Sequence, residues 1–191
     1  MNIMLLGYTI IDPDMNAYML SDIELNACAK YSNIYDLNIV NPNFKVPKRA
    51  KNISTTYEGY TIVSEKFKTF CEVEKYEGLE FVTLPSSPEY YWFKVHNILE
   101  YDTDARLTRF LNYNEECNGY EEIIGITPVC LKTKFLLEDK FYRTNICAGS
   151  FVNKSPMYMV GEKTKEKLKE AGFKEIFFEK ILDKYKWQED V

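Results

Sequence analysis

The sequence is poor in the side chains and motifs on which most catalytic centres depend. Its 191 residues include one histidine, His96, which excludes a metal site built from several histidines and leaves few general bases near neutral pH. It contains no glycine-rich phosphate loop, no H-E-x-x-H or G-x-S-x-G motif and no dinucleotide fingerprint. The sequence therefore predicts no catalytic residues, no metal and no cofactor.

The cysteines also show no spacing that is typical of a disulfide framework or a metal site. The five cysteines are an odd number without a C-x-x-C pair or zinc-ligand spacing. In a chain of this length, that pattern argues against both a disulfide framework and a zinc site. We therefore expect reduced, mostly buried thiols at Cys28, Cys71, Cys117, Cys130 and Cys147.

Long apolar runs and an excess of positive charge are absent as well. No stretch approaches the roughly 18 apolar residues of a membrane-spanning helix, and the first residues lack the positive flank of a signal peptide. Lys and Arg number 24 against 29 Asp and Glu, for a net charge of −5. This balance disfavours nucleic acid and anionic membranes as partners. We expect a cytoplasmic protein.

A strand–helix–strand pattern is present twice. The copies cover residues 61–81 and 158–178, and one offset of 97 residues aligns both of their ends. In the first copy, Ser64 can accept a hydrogen bond from a free amide of the first helical turn, and Gly161 is a tolerated substitute in the second. The repeat predicts a duplicated structural unit but indicates no reaction.

Short strands dominate the rest of the pattern. Apolar and aromatic alternation predicts strands at residues 3–11, 33–40, 90–99, 129–137 and 141–148. Residues 41–59 contain prolines and basic residues and are expected to form a solvated connection. Strands and helices do not alternate steadily, so we predict an α+β fold with a mixed, mainly antiparallel sheet. We predict one domain over residues 1–191, with two lobes at 1–58 and 59–191 as an alternative.

The aromatic run at residues 90–99 is the strongest predicted strand and supplies the first candidate site. Period-two alternation assigns four residues to the core: Tyr91, Phe93, Val95 and Leu99. Trp92, Lys94 and His96 lie on the opposite face. These three residues are candidates for an exposed partner-binding face, although a neighbouring element covering Trp92 is equally compatible with the pattern.

A second group of candidates is acidic and follows this strand. It consists of Asp102, Asp104, Glu115, Glu116, Glu121 and Glu122. Together these carboxylates would form a negative surface that steers a basic protein towards its docking face. A solvated acidic loop explains the same residues without any partner.

Two catalytic alternatives use the same part of the chain. Cys147 as nucleophile, His96 as base and Asp102 as orienting group would form a triad. Alternatively, Asp102 and Asp104 could bind a divalent cation with help from the Glu115–Glu116 region. A free buried cysteine and an acidic turn are the simpler explanations of these residues.

The repeat and its surroundings resemble a family of bacterial immunity proteins of polymorphic toxin systems, long described as domains of unknown function. The likeness covers roughly residues 60–181 and rests on residues 62–67 and 78–81, followed by an aromatic and then acidic stretch at 90–104. Similar motifs in the C-terminal part are residues 141–143, 159–163 and 171–173. The sequence departs from the pattern at Gly161, where a capping serine is expected, and its acidic segment has no clear hallmark.

The resemblance implies a non-enzymatic inhibitor that binds a cognate toxin and occludes its active site. The acidic net charge adds the expectation that the toxin has a basic site. Two alternatives from other classes are a small enzyme based on a cysteine or carboxylates, and a non-catalytic ligand-binding or scaffold domain.

Overall fold

A computed structural model describes residues 3–185 and confirms the predicted α+β class, with 16% helix and 35% strand. Residues 1–2 and 186–191 of the predicted domain lie outside the described residues. The strands are β1 (Leu5–Ile11), β2 (Ile53–Thr55), β3 (Thr61–Ser64), β4 (Leu79–Thr83), β5 (Tyr90–Val95), β6 (Ile98–Leu99), β7 (Arg109–Asn114), β8 (Gly119–Ile124), β9 (Phe141–Ser150), β10 (Ser155–Val160) and β11 (Phe177–Leu182). The helices are α1 (Ile34–Leu37), α2 (Glu65–Val73), α3 (Thr103–Arg106) and α4 (Glu162–Glu170), and a 3₁₀ turn covers Ala29–Tyr31.

The described strands form two sheets. The larger has the order β11-β1-β10-β9-β8-β7 with β6 attached to β9, and the smaller has the order β2-β3-β5-β4. The pairing of β6 with β9 is parallel, whereas the other strand pairs of the described region are antiparallel. The prediction of a mixed, mainly antiparallel arrangement is confirmed.

Both predicted strand–helix–strand units are present, as β3–α2–β4 and β10–α4–β11. In each unit the two strands are separated by one antiparallel strand, which is β5 in the first unit and β1 in the second. The outer neighbours are β2 and β9, so the two units have the same four-strand order. The second unit is completed by the N-terminal strand, which joins residues 3–11 to the C-terminal half of the chain.

The two units begin their helices differently for a steric reason. The Ser64 hydroxyl caps α2 by accepting a hydrogen bond from the Phe67 amide at 3.4 Å. At Gly161, a Cβ atom would lie 2.3 Å from the carbonyl oxygens of Leu137 and Glu138. A capping serine therefore does not fit before α4, which explains the departure from the expected pattern.

One aromatic core joins the two units. The buried Phe67 ring of α2 lies 5.4 Å from Phe93 in β5, 6.0 Å from Phe141 in β9 and 5.2 Å from Phe173 after α4. Edge-to-face contacts of this kind add to the stabilisation that burial of the rings provides. The two sheets and the two longer helices are therefore packed around shared side chains.

Two irregular segments cover the outer faces of the sheets. Residues 12–50 cover the smaller sheet, where Met15, Met19 and Phe44 pack with Tyr60 and Trp92 in one buried cluster. In the larger sheet, residues from the 125–140 segment pack with β1 and β10 in a second cluster. Because both outer faces are covered, even the central strands of the smaller sheet are buried on each side.

Two predicted strands are wrong. Residues 33–40 contain α1 instead, because the Asn33 side chain accepts hydrogen bonds from the amides of Tyr35 and Asp36 at 2.9 and 3.1 Å. Residues 129–137 form an irregular covering segment that does not keep the predicted alternation, because Cys130 is buried and Phe135 is exposed, although Leu131 and Leu137 are buried. The predicted strands at residues 3–11, 90–99 and 141–148 correspond to β1, β5 with β6, and β9.

Candidate functional site

Trp92 and Lys94 do not lie on an exposed face. Trp92 is fully buried, with its ring 4.8 Å from the ring of Tyr60. The Lys94 Nζ atom lies 4.5 Å from the Trp92 ring centroid and donates to Asn38 Oδ1 at 3.0 Å. The alternation of the strand was predicted correctly, but the face expected to bind a partner is covered by the N-terminal segment.

His96 is exposed but lies apart from the acidic candidates. Its Nε2 atom pairs with Glu80 at 2.9 Å at the end of the smaller sheet. The neighbouring residue Asn97 contacts the start of β9, where its carbonyl accepts a hydrogen bond from the Arg143 amide. The acidic strand β8 pairs with the other end of β9, at Gly149 and Ser150. Six strand residues span about 20 Å. His96 and the acidic residues of β8 therefore do not form one surface.

The acidic segment forms the β7–β8 hairpin, which ends the larger sheet. Its strands pair from Arg109 with Ile124 to Asn114 with Gly119, and residues 115–118 form the turn. Among the described residues, β7 has no strand on its outer edge. An edge strand presents free backbone groups that a second protein can use.

The outer face of the hairpin carries three neighbouring aromatic rings. Tyr120 lies 5.1 Å from Phe110 and 4.9 Å from Tyr113. Phe110 and Tyr113 would point to opposite faces of a regular strand, but Asn112 has a φ of +55° and interrupts the alternation. Phe110 is 38% and Tyr113 50% exposed. By alternation along β8, Glu122 lies on the same face as Tyr120.

The inner face of the hairpin is fastened to the N-terminal segment. A Cβ atom on Gly119 would lie 2.6 Å from the Tyr31 carbonyl oxygen, so β8 approaches the 3₁₀ turn as closely as glycine allows. Beside this contact, Cys28 and Cys117 form a disulfide across 89 residues of sequence.

The disulfide contradicts the expectation of five reduced thiols. The number and spacing of the cysteines could not reveal a pairing between segments so distant in sequence. Cys71, Cys130 and Cys147 are free and buried, as expected. Disulfides persist mainly in oxidising compartments, and the cytoplasmic location stays a prediction.

A buried lysine adds a polar anchor to the same inner face. Lys154 is 2% exposed, and its Nζ atom donates to the carbonyl oxygens of Lys30 at 2.6 Å and Glu121 at 3.2 Å, and to that of Phe151. Burial lowers the pKa of Lys154. The Glu121 carboxylate pairs with Lys30 Nζ at 3.1 Å, and this hydrogen bond lowers the pKa of Glu121. Glu121 therefore holds the hairpin in place and is not available to a partner.

The remaining predicted carboxylates divide between the two ends of β7. Asp102 caps α3 by accepting from the Ala105 amide at 2.9 Å, and Asp104 lies exposed in the first turn of that helix. Glu115 and Glu116 are exposed in the turn at the other end. The six residues of β7 separate the pairs by about 20 Å. The six predicted carboxylates are therefore not one continuous acidic patch.

The same separation argues against the alternative in which these carboxylates bind a divalent cation. Asp102 and Asp104 cannot share a cation with Glu115 and Glu116 across the length of β7. Within residues 3–185, no group of three or more His, Cys, Asp or Glu side chains is placed to hold a metal ion.

The proposed cysteine triad is not assembled. Cys147 is buried, and burial raises the pKa of its thiol to about 12, so the nucleophilic thiolate is disfavoured. His96 pairs with Glu80, and the Asp102 carboxylate accepts from the Ala105 amide. His96 and Asp102 therefore have other partners, and Cys147 is a buried free thiol.

The aromatic face was missed by sequence reasoning, although a signal was present. Residues 109–114 and 119–124 are rich in aromatic and β-branched side chains, and Asn118-Gly119 marks a turn between them. That pattern is typical of a hairpin. The number of carboxylates in the segment instead favoured an acidic loop.

Comparisons with known proteins identify no relative: no family model, curated protein or solved structure matches the chain. The resemblance to immunity proteins of polymorphic toxin systems therefore stays a prediction based on the motifs in residues 60–181.

Proposed function

We propose that the protein is an immunity protein that binds a cognate bacterial toxin and neutralises it by occluding its active site. The binding element in this proposal is the hairpin face, defined as Phe110, Tyr113, Tyr120 and Glu122 with Glu115 and Glu116 in the turn. The observation that carries the proposal is an aromatic row, in which Phe110 and Tyr113 are exposed, on a hairpin whose opposite face is anchored.

The anchoring favours tight binding because it reduces the entropy lost on association. The disulfide at Cys117, the close contact at Gly119 and the hydrogen bonds of Lys154 hold the hairpin before any partner arrives. Affinity gained by such preorganisation comes from a lower cost of ordering rather than from additional contacts.

The side chains of the hairpin face suit a protein partner. Aromatic residues at the centre of an interface supply much of its binding energy, and tyrosine combines a large apolar ring with a polar end. Glu115, Glu116 and Glu122 would accelerate association with a basic surface such as the substrate groove of a toxin that acts on nucleic acid. Inhibition by occlusion requires no catalytic residue, only an interface of about 1,600 Å² in total.

The test begins by recovering the product of a neighbouring toxin-like reading frame on the tagged full-length protein. Association kinetics are then compared between wild type and the triple variant Glu115→Gln, Glu116→Gln and Glu122→Gln. Glu121 is left unchanged because it holds the hairpin. We expect the association rate to fall about tenfold at low salt and the difference to shrink at high salt.

The matched control removes the same charge elsewhere. The variant Glu24→Gln, Glu166→Gln and Glu170→Gln changes three exposed carboxylates outside the hairpin. If both triple variants associate at the wild-type rate, the acidic contribution is refuted. If no toxin domain is recovered at all, the proposed function fails.

A further inference from the structure

A cleft of about 340 Å³ lies away from the hairpin, between the end of β1, the β2–β3 turn and the start of β10. Its lining combines acidic, hydroxyl and aromatic side chains with apolar ones, including Asp12, Asp14, Thr55, Tyr57, Pro156 and Tyr158. The volume is at the lower end of small-ligand sites. It admits a small compound or a single long side chain.

The cleft exists because two neighbouring strands diverge. β1 and β10 pair at Tyr8 with Val160 and at Thr9 with Met159, where their pairing ends. Pro156 has no N–H group to donate, and the pairing of β10 with β9 shifts register between Pro156 and Tyr158. The cleft occupies the place where a continued β1–β10 ladder would lie.

The third wall is the turn between β2 and β3. Gly59 has a φ of +91°, and a Cβ atom on it would lie 2.4 Å from the Ser155 hydroxyl oxygen. The turn is closed by a hydrogen bond from the Gly59 amide to the Thr56 carbonyl at 2.9 Å. The turn can therefore lie this close to β10 only because residue 59 is a glycine.

The cleft holds two carboxylates without a counterion. Asp12 is half-buried and accepts a hydrogen bond from the Thr55 hydroxyl. Asp14 is exposed and accepts from the Asn16 amide. In the described part of the chain, no Lys, Arg or His side chain forms an ion pair with either. A partly buried carboxylate without a cation is costly, and a ligand that supplies the cation removes that cost.

We infer that this cleft binds the cationic end of an alkylammonium or alkylguanidinium ligand. Asp12 and Asp14 supply the charge that such a group requires, and bidentate hydrogen bonding to a carboxylate favours guanidinium. Ile10, Pro156 and Met157 line the cleft with apolar surface for the alkyl part.

An aromatic wall supports the same ligand class. Tyr57 lines the cleft, and its ring lies 4.6 Å from the ring of Tyr18. Tyrosine faces attract ammonium and guanidinium groups. The ligand could be a free compound or a lysine or arginine side chain of another protein, and the experiment distinguishes these sources.

The experiment titrates the full-length protein with agmatine, with cadaverine and with an end-blocked peptide that contains one arginine, using calorimetry at pH 7.5. N-butylurea serves as the uncharged comparison. Binding of agmatine or cadaverine, but not of butylurea, is expected for a site that takes free compounds. Binding of the peptide alone would identify a protein side chain as the ligand. Absence of binding by all three cationic probes would overturn the inference.

Substitutions of the two aspartates show whether the cationic probe binds in the cleft. Asp12→Asn is expected to weaken the affinity for the cationic probe by about tenfold, because a charge-assisted hydrogen bond is lost. Asp14→Asn changes the exposed carboxylate and tests the second charge of the cleft independently. Glu166→Gln on α4 removes one charge outside the cleft and is expected to leave the affinity unchanged. Equal affinities in wild type and both aspartate variants would place the probe elsewhere and refute the assignment.

The pH dependence provides a separate readout. Burial raises the pKa of Asp12 to about 6, and the other titratable side chains lining the cleft are Asp14, Tyr57 and Tyr158. Burial raises the pKa of Tyr158 well above its ordinary value, so this side chain stays neutral in this range. Affinity for agmatine should therefore fall as the pH is lowered from 7.5 to 5, and a pH-independent affinity would contradict the role of Asp12.

Discussion

Asp12 shows how one side chain can oppose folding. Burial raises its pKa to about 6, whereas an aspartate in an unfolded chain titrates near 4. The folded protein therefore binds a proton at this site more tightly than the unfolded chain does. Asp12 contributes stability below about pH 4, and that contribution is lost as the pH rises through 6.

We predict that Asp12→Asn raises the free energy of unfolding at pH 7.5 by about 1–3 kcal/mol. The carboxamide oxygen can still accept the hydrogen bond from Thr55, so the main change is removal of the half-buried charge. At pH 3.5 the two proteins should be nearly equal in stability. Urea unfolding at both pH values measures this difference, with Glu166→Gln as a surface control. A less stable variant at pH 7.5 would contradict the prediction.

At the residue scale, the sequence predicted which side chains share a face of β5 but not which of the two faces is covered. Alternation separated Phe93 and Val95 from Trp92 and Lys94 correctly, because the side-chain period of a strand is local. The covering of Trp92 depends on Met15, Met19 and Phe44, which are distant in sequence. No local pattern distinguishes an exposed Trp–Lys face from one that a remote segment covers.

At the scale of elements, the hairpin depends on an attachment between segments 89 residues apart in the chain. The Cys28–Cys117 disulfide joins the turn of the hairpin to the segment that precedes the 3₁₀ turn. Such a cross-link removes conformational freedom chiefly from the unfolded chain. It also limits how far the hairpin can move from the body of the protein.

We predict that Cys28→Ser with Cys117→Ser lowers the free energy of unfolding by about 2–5 kcal/mol. The amides of β7 and β8 should also exchange faster with solvent, because the hairpin loses its covalent anchor. Urea unfolding and hydrogen exchange measure the two effects.

The stability of the wild-type protein with and without reductant is the control for this variant. Reducing the wild type should bring its stability to the value of the double-serine variant, which should itself be unaffected by reductant. If the oxidised and reduced wild type are equally stable, the disulfide does not contribute as described.

The elements were predictable where their signals are local. The repeat revealed β3–α2–β4 and β10–α4–β11, since apolar spacing and helix starts are short-range features. The insertion of β1 between β10 and β11 was not visible, because pairing between the two ends of a chain leaves no mark in a local window. The hairpin had a local signal that the carboxylate count obscured.

At the scale of the whole molecule, the two units form one body rather than two independent halves. Phe67 of the first unit and Phe173 of the second share a core, and β1 completes the sheet of the second unit. Such packing gives a rigid support from which the hairpin projects.

Among residues 3–185, no helix has the length and apolar character needed to span a bilayer.

The central claim is that the hairpin face neutralises a toxin, and a titration of toxin activity tests it most directly. The activity of a toxin recovered on the tagged protein, from a neighbouring toxin-like reading frame, is measured in three titrations. They use increasing amounts of the wild-type protein, of the triple variant Phe110→Ser, Tyr113→Ser and Glu122→Lys, and of the control Phe177→Ser, which alters an exposed ring on β11. Wild type and control should abolish activity at about one equivalent, and the hairpin variant should not. No inhibition by wild type, or equal inhibition by the folded hairpin variant, would contradict the account.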